Sequence, residues 1–446
     1  MRKDWFYAAF CALFLLLLLV PGALTLALGP GEAGANEQLA RAPQLTKAGA
    51  LNLDVLSDAC AYFDDHFAGR QQLITANAAV TAAVFRESAS SEVILGCEGW
   101  LFYADTLADY EGSAPMTERQ LYCAAHTLAL MQEYAASQDC AFVFTAAPNK
   151  NTLYPEFMPA QYERSEAPSN LERLSAYLAR EEVAYCDLLP VLAASNEPVY
   201  YKTDSHWTPY GSALAHDALL RSLGRDGALS QQVFTPQPHL GDLYEMLLPA
   251  GNRTEPGAAL ARARTFSYVG AVHGPDDMMI RTVCNGQQGS LLMFRDSFGN
   301  ALHEDMAESF ASACFSRAMP YDLTLLETER ADTLVIELVE RNLAKLAVQP
   351  PVMHGPAREL DAPEKTVSAQ LQLTQRESKL DGCVQYTGTL SCAAMDADSP
   401  VYLALDGVVY EACPTDSGFS LYAPGAQEIA MYVMAGGELV RCDTNS

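Results

Sequence analysis

The chain has 446 residues, half of them hydrophobic and 19% charged, the balance of a folded protein with room for two or three cores. Its formal net charge of -27, against 28 Lys and Arg, offers no basic stripe for phosphates. That argues against nucleic acid and disfavours anionic lipid or polymer as partners. A neutral polymer or an uncharged acyl donor meets no such repulsion.

The chain opens with Arg2 and Lys3 and then runs almost wholly apolar from Tyr7 to Leu28. Roughly 20 apolar residues span a bilayer as a helix, and the leading positive charges hold the N-terminus inside. The expectation is an uncleaved single-pass membrane anchor with the body outside the cytoplasm. Ala33-Gly34-Ala35 resembles a signal cleavage site, and a cleaved, secreted form would share that location. Gly29 to Asn36 reads as a tether. Twelve cysteines, eleven of them beyond the anchor, include Cys383 with Cys392 and Cys413 with Cys442 as candidate local bridges, although small buried thiols are an equal reading. There is no Cys-x-x-Cys or His-Glu-x-x-His, so neither a metal nor any other cofactor is expected.

Leu51 to Arg86 reads as helical. Thr117-x-x-Gln120 and Ser169-x-x-Glu172 are capping boxes that open helices, and Thr208-Pro209 is an N-cap and N1 pair for a third, reaching about Leu223. Between them Ala141 to Thr145 and Val183 to Leu188 read as strands. Ser290 to Phe294 and Thr333 to Val339 follow, with a helix near Ala301 to Ala313. Helices alternating with buried strands predict an α/β fold with a parallel sheet, whose site lies beyond the carboxyl ends of the strands. From Gly224 to Gly289 the pattern is poor and reads as a long excursion, a candidate lid. After Pro350 to Pro363 the runs Val401–Leu405, Val408–Tyr410 and Ile429–Val433 predict a small antiparallel β-sandwich.

The chemistry concentrates in Tyr201–Thr208 and Leu292–Gly299. A serine hydroxyl becomes a nucleophile when a base takes its proton and donors hold the oxyanion. Ser297 follows a strand at a turn into a helix, His206 is the candidate base, and Asp204, two residues earlier, is placed to orient the ring. The amides of Ser297, Phe298 and Gly299 are candidate oxyanion donors. Each element also has a plain structural reading: Asp204, Asp296 or Ser297 as a helix cap, Trp207 as packing, His216 as a packing or surface residue, and His303 as a lesser rival base. Asn149, Lys150 and Tyr154 follow the Ala141 strand and stand as substrate-rim candidates or as an ordinary turn.

Five blocks then carry a resemblance: Gly96–Phe102, Ala147–Tyr154, Thr203-Asp-Ser-His-Trp207 with Gly211, Arg295-Asp-Ser-Phe298, and Val339-Glu-Arg-Asn342. With them the chain resembles the AlgX/AlgJ-type SGNH-hydrolase-like proteins, DHHW proteins included, which are similar to polysaccharide O-acetyltransferases of the cell envelope. The domains expected are a membrane anchor and tether over 1–35, an SGNH-hydrolase-like domain over 36–349 and a small β-sandwich over 360–446. The resemblance implies a triad of Ser297, His206 and Asp204, a polysaccharide acceptor and a membrane-bound partner that exports acyl groups. Two positions depart from the pattern. Arg295 stands where many relatives have glycine, narrowing the approach to the serine, and Ser205 replaces a histidine and is expected to face away. The functional expectation is an extracytoplasmic serine O-acyltransferase. A carbohydrate esterase with the same triad, or a non-catalytic polysaccharide-binding protein, are the alternatives.

Overall fold

A computed structural model describes residues 2–31, 39–47, 49–361, 363 and 365–443. The Ala33–Ala35 stretch and most of the expected tether lie outside the described residues. The apolar N-terminal run forms one helix, Arg2–Leu28, of which Trp5–Leu28 is long and apolar enough to cross a membrane. The segment read as a single helix from Leu51 to Arg86 is two, Val55–His66 and Arg70–Phe85. Between them Phe67 is extended and Gly69 takes a positive φ of 89°, a conformation that glycine adopts without strain.

A seven-stranded sheet organises the central part of the chain. From one edge its strands run Tyr185–Asp187, Ala141–Ala147, Thr333–Val339, Ser290–Phe294, Ser312–Ser316, Met279–Val283 and Ser267–Tyr268. The first five are mutually parallel; the last two join through antiparallel pairings, so the sheet is mixed where an all-parallel one was expected. Alternation along the strands divides two cores. Leu292, Phe294, Leu334 and Ile336 face the helices Glu118–Ser137 and Asn170–Arg180, while Leu291, Met293 and Val335 face Pro209–Ser222 and Gly299–Ala307. Both predicted capping boxes are made, with Gln120 N bonded to Thr117 Oγ1 at 3.1 Å and Glu172 N to Ser169 Oγ at 3.2 Å. The helix expected to reach Ala313 stops at Ala307, and Ser312–Ser316 enters the sheet instead.

The C-terminal β-rich runs are antiparallel except for one pair, Lys365–Glu377 with Glu438–Asp443. Their sheet closes into a barrel, because Val408–Pro414 pairs with Val401–Leu405 on one side and with Gly418–Pro424 on the other. Tyr386, Val401, Leu403, Phe419 and Val433 fill its interior. This geometry corrects the expected cysteine bridges. Cys383 and Cys392 are the two ends of one strand, about 30 Å apart at ~3.3 Å per residue. Cys413 and Cys442 sit on strands with two others between them, and the thiols of all four are free.

Candidate active site

The sheet presents three turns at its carboxyl edge, after Ala147, after Phe294 and after Val339, and the Tyr201–Thr208 loop folds over them. That loop is a tight reversal, with Tyr200 bridged to Trp207 and Thr208 N donating to Val199 O at 2.8 Å. Thr208 Oγ1 then accepts from Gly211 N at 3.1 Å and starts the next helix. Gly211 is obligatory there, since a Cβ would lie 2.3 Å from Val199 O.

Lys150 holds the loop from beneath. It is buried, and its ammonium donates to the carbonyls of Leu101 at 2.6 Å, Lys202 at 2.8 Å and Asp204 at 2.9 Å, using its three donors. The Trp100 ring of the Gly96–Phe102 block lies 5.1 Å away under the charge. Burial pulls the ammonium down to about 7, against the raising influence of Asp204, Glu255 and Asp242. Lys150 therefore shapes the loop; it is neither a solvated turn residue nor free to grip a substrate. Glu255 completes the clamp by accepting from Lys202 N and Thr203 N at 2.7 and 2.8 Å.

Within the loop, Asp204 Oδ1 accepts from His206 Nδ1 at 2.9 Å and from His206 N at 2.8 Å. Its Oδ2 accepts from Asp242 N at 3.1 Å and bonds His239 Nε2 at 2.8 Å. Burial opposes charge on Asp204, yet the bonds from His206 and His239 hold its carboxyl well below the usual range. The same burial opposes charge on His206, and Asp204 and Asp242 outweigh it and raise the imidazole well above its ordinary value. Ser205 does not face away as expected. Its hydroxyl lies 3.1 Å from His206 Nδ1 and donates to Asp242 Oδ2 at 2.5 Å. The reason is Asp242, whose two oxygens draw in both the Ser205 amide and hydroxyl.

His206 Nε2, on the far side of the ring, is buried and has no partner among the described residues. The ring sits 4.9 Å from the Phe298 ring, centroid to centroid. The neighbouring Ser297 is half-buried, and no hydrogen bond joins its hydroxyl to Nε2. The structure thus makes the acid–imidazole bond and leaves the serine–imidazole bond unmade; catalytic hydrogen bonds of this kind often tighten only when substrate is present.

Two of the expected oxyanion donors are turned elsewhere. Phe298 N donates to Asp296 Oδ1 at 2.9 Å, and Gly299 N faces the buried carboxyl of Glu337. Asp296 Oδ2 is held in turn by Val339 N at 2.8 Å and Asn342 Nδ2 at 3.3 Å. The amide of Ser297 is the donor left. Arg295 does not narrow the approach to the serine either. It is buried, and its guanidinium reaches Asn300 Oδ1 and, at 2.7 Å, Pro275 O. Its stem instead packs on Gly299, where a Cβ would lie 2.5 Å from Arg295 Cβ.

The remaining rim candidates are structural. Asn149 is fully buried, with its amide on Glu340 Oε2 at 2.7 Å and its Oδ1 accepting from Arg341 N at 3.3 Å. Tyr154 Oη accepts from Val199 N at 3.0 Å, and its ring packs on Trp100. Trp207 is buried edge-on against Phe298 at 5.1 Å. His303 bonds Asn300 O and Tyr268 Oη, and His216 is buried between Asp217 and Ser309.

Sequence reasoning missed His239, Asp242 and Glu337. The first two come from the Gly224–Gly289 excursion, where the hairpin Phe234–His239 with Glu255–Leu260 and the short helix Asp242–Leu247 close on Asp204. No periodic signal marks them. Glu337 had one: a single acid in the otherwise apolar strand Thr333–Val339, now fully buried below the Ser297 turn, with Oε2 accepting from Asp296 N at 3.2 Å. Burial raises its carboxyl far above the usual range. A cation could be held by the oxygens of Asp204 and Asp242 with a ring nitrogen of His206, all within 4.8 Å of one another. Those atoms, however, already bond one another, and a cation would have to displace the Nδ1 proton.

The mixed α/β sheet with its acid–imidazole pair at the carboxyl edge is of the SGNH-hydrolase-like class. Residues 93–278 match a family described as an SGNH hydrolase-like domain, acetyltransferase AlgX; the match ends before Ser297. The probable alginate O-acetylase AlgJ of Pseudomonas syringae pv. tomato is 27% identical over 250 residues, covering 53% of this chain and 59% of the relative. That of Pseudomonas putida is 24% identical over 233 residues, covering 50% and 58%. The chain thus spans under three-fifths of the length of these curated relatives. Among solved structures, Bacillus cereus PatB1 is 15% identical and covers 56% of this chain and 96% of its own, with a TM-score of 0.44. The O-acetyltransferase domain of Pseudomonas putida AlgJ is 19% identical, covering 56% and 92% with a TM-score of 0.37. Over these residues the chain is similar to AlgX/AlgJ-type SGNH-hydrolase-like proteins.

Proposed function

We propose that the protein is an extracytoplasmic serine O-acyltransferase that moves an acyl group, most simply acetyl, onto hydroxyls of an envelope or secreted polysaccharide. The observation that carries this is the Asp204–His206 pair with an unpartnered Nε2 beside the Ser297 turn. AlgJ relatives named as alginate O-acetylases support the reaction class, and the apolar N-terminal helix supports membrane attachment.

In this mechanism Ser297 Oγ attacks the donor carbonyl while His206 Nε2 takes its proton. The Ser297 amide steadies the oxyanion, and the proton passes to the leaving group as the acyl–serine ester forms. An acceptor hydroxyl then gives its proton to Nε2 and attacks the ester, and Nε2 passes that proton to Ser297 Oγ as the ester bond breaks, freeing the serine. Asp204 keeps Nδ1 protonated throughout, so that only Nε2 exchanges. Acetyl-CoA is confined to the cytoplasm, so the donor would come from a membrane-bound partner that exports acyl groups.

The test is intact-mass measurement after incubation with p-nitrophenyl acetate. Wild type should gain one acetyl group at Ser297, and Ser297→Ala should gain none there. Adding oligosaccharide acceptors should discharge the ester onto sugar. Discharge to water alone would make the protein an esterase, and absence of any Ser297 adduct would remove the catalytic reading.

A further inference from the structure

A second opening lies on the same carboxyl edge, a strand or two away from Ser297. It is a cavity of about 440 Å³ between the 108–115 and 164–173 segments. Thr152, which follows the Ala141–Ala147 strand, and Glu340, which follows Thr333–Val339, line it; Asp204, His206 and Ser297 do not. We propose that this cavity binds a single sugar residue through its hydroxyl groups, with Glu340 as the central contact.

Glu340 is 1% exposed, and its two oxygens differ. Oε2 accepts from Asn149 N at 2.7 Å and Thr152 Oγ1 at 2.8 Å, while Oε1 is buried without any partner among the described residues. Buried polar atoms are seldom left unpaired, so a ligand group at Oε1 fills a gap that the protein leaves open. Burial, with the charges of Asp109 and Glu172 adding to it, pushes this carboxyl up to about 7. Near neutral pH it is both donor and acceptor, and a hydroxyl suits either state.

The walls point the same way. Asp109 accepts from Asn170 Nδ2 at 2.6 Å and from Asn149 Nδ2 at 3.3 Å, one bond to each oxygen, which leaves acceptor capacity on both. Tyr110 offers a ring for the apolar face of a pyranose. Arg164 stands exposed at the mouth and, with the carboxylates inside, makes the lining of mixed sign. That lining favours neither an anion nor a cation. A cavity of this size is in the range of small-molecule sites, with a few convergent polar groups among apolar walls.

The experiment uses the full chain in lipid nanodiscs, free of glycoside detergent, titrated with cellotriose, chitotriose and a mannuronate trisaccharide. Binding is followed by calorimetry and saturation-transfer NMR. At least one saccharide should bind saturably, and Ala167→Trp, an exposed position on the cavity wall, should weaken it tenfold or more. Glu340→Gln should weaken it at least threefold; if that variant does not fold, Ala167→Trp carries the test. Absence of saturable binding, binding indifferent to Ala167→Trp, or saturation by inorganic phosphate or Mg²⁺ but by no saccharide would each overturn the proposal. The readout is binding, so either result leaves acylation of Ser297 a separate question.

Discussion

His206 is clasped on its Nδ1 side by Asp204 at 2.9 Å, Ser205 at 3.1 Å and Asp242 at 3.3 Å, while Nε2 is bare. Two carboxylates stabilise the imidazolium, which cannot act as a base until it loses the Nε2 proton. The ring's raised pKa therefore puts the rising limb of kcat/KM above the ordinary imidazole range, with activity gained as pH increases through it. Asp242→Asn removes one of the two charges and should move that limb to lower pH, with the folded state retained because Asp204 still holds the ring. A pH–rate profile decides the matter, and an unmoved limb would mean that His206 is not the titrating base. Asp204 and His206 were legible in the sequence because acid and ring stand two residues apart in one loop. The bond to Ser205 and the second carboxylate were not. They depend on a contact with a residue 37 positions downstream, which no local pattern encodes.

At the scale of elements, capping chemistry was the most readable signal. Thr117 with Gln120, Ser169 with Glu172, and Thr208 before Pro209 each start a helix where the sequence said one would. Two short strands of the central sheet were the least readable. Met279–Val283 and Ser312–Ser316 are five residues each, and the alanine and serines of the second continue the composition of the preceding helix. Two substitutions separate an element that only holds the fold from one that also holds the site. Thr117→Ala removes a cap and should cost about 1 kcal/mol in a denaturant titration, with acylation of Ser297 unchanged. Gly211→Ala drives a methyl group onto Val199 O, a backbone atom that cannot yield. It should cost more, on the order of 2–3 kcal/mol, and should also slow acylation, because it tilts the Pro209–Ser222 helix against the loop carrying His206.

For the molecule as a whole, an ionic cluster is among the ties between the barrel and the sheet-bearing part. His126 on the Glu118–Ser137 helix bonds Glu181 at 2.8 Å and the barrel's Glu411 at 2.9 Å, and Arg358 bridges Glu411 at 2.6 Å to Glu133. Burial works against a charge on His126, but bonds from the two glutamates hold the ring up at about 9. A group raised on folding stabilises fully below its unfolded pKa, near ~6.5 for histidine, and the contribution is lost as pH climbs through the folded value. Docking of the barrel should therefore weaken between about pH 6.5 and 9. His126→Gln should flatten that slope in thermal melts, and a slope that survives the substitution would assign it elsewhere. The α/β alternation and the β-rich end were both visible as patterns along the chain. The barrel's closure was not, because it is set by which strands meet across long loops.

That closure bears on how the protein behaves among its own copies. A sheet whose outermost strands find each other offers neighbouring molecules few bare amides to extend, so growth by strand addition has little foothold on the barrel. The rims of the central sheet are strands of only three residues, Tyr185–Asp187, and two, Ser267–Tyr268, too short to seed a stack. With like charge repelling at -27, crowding should leave these molecules dispersed.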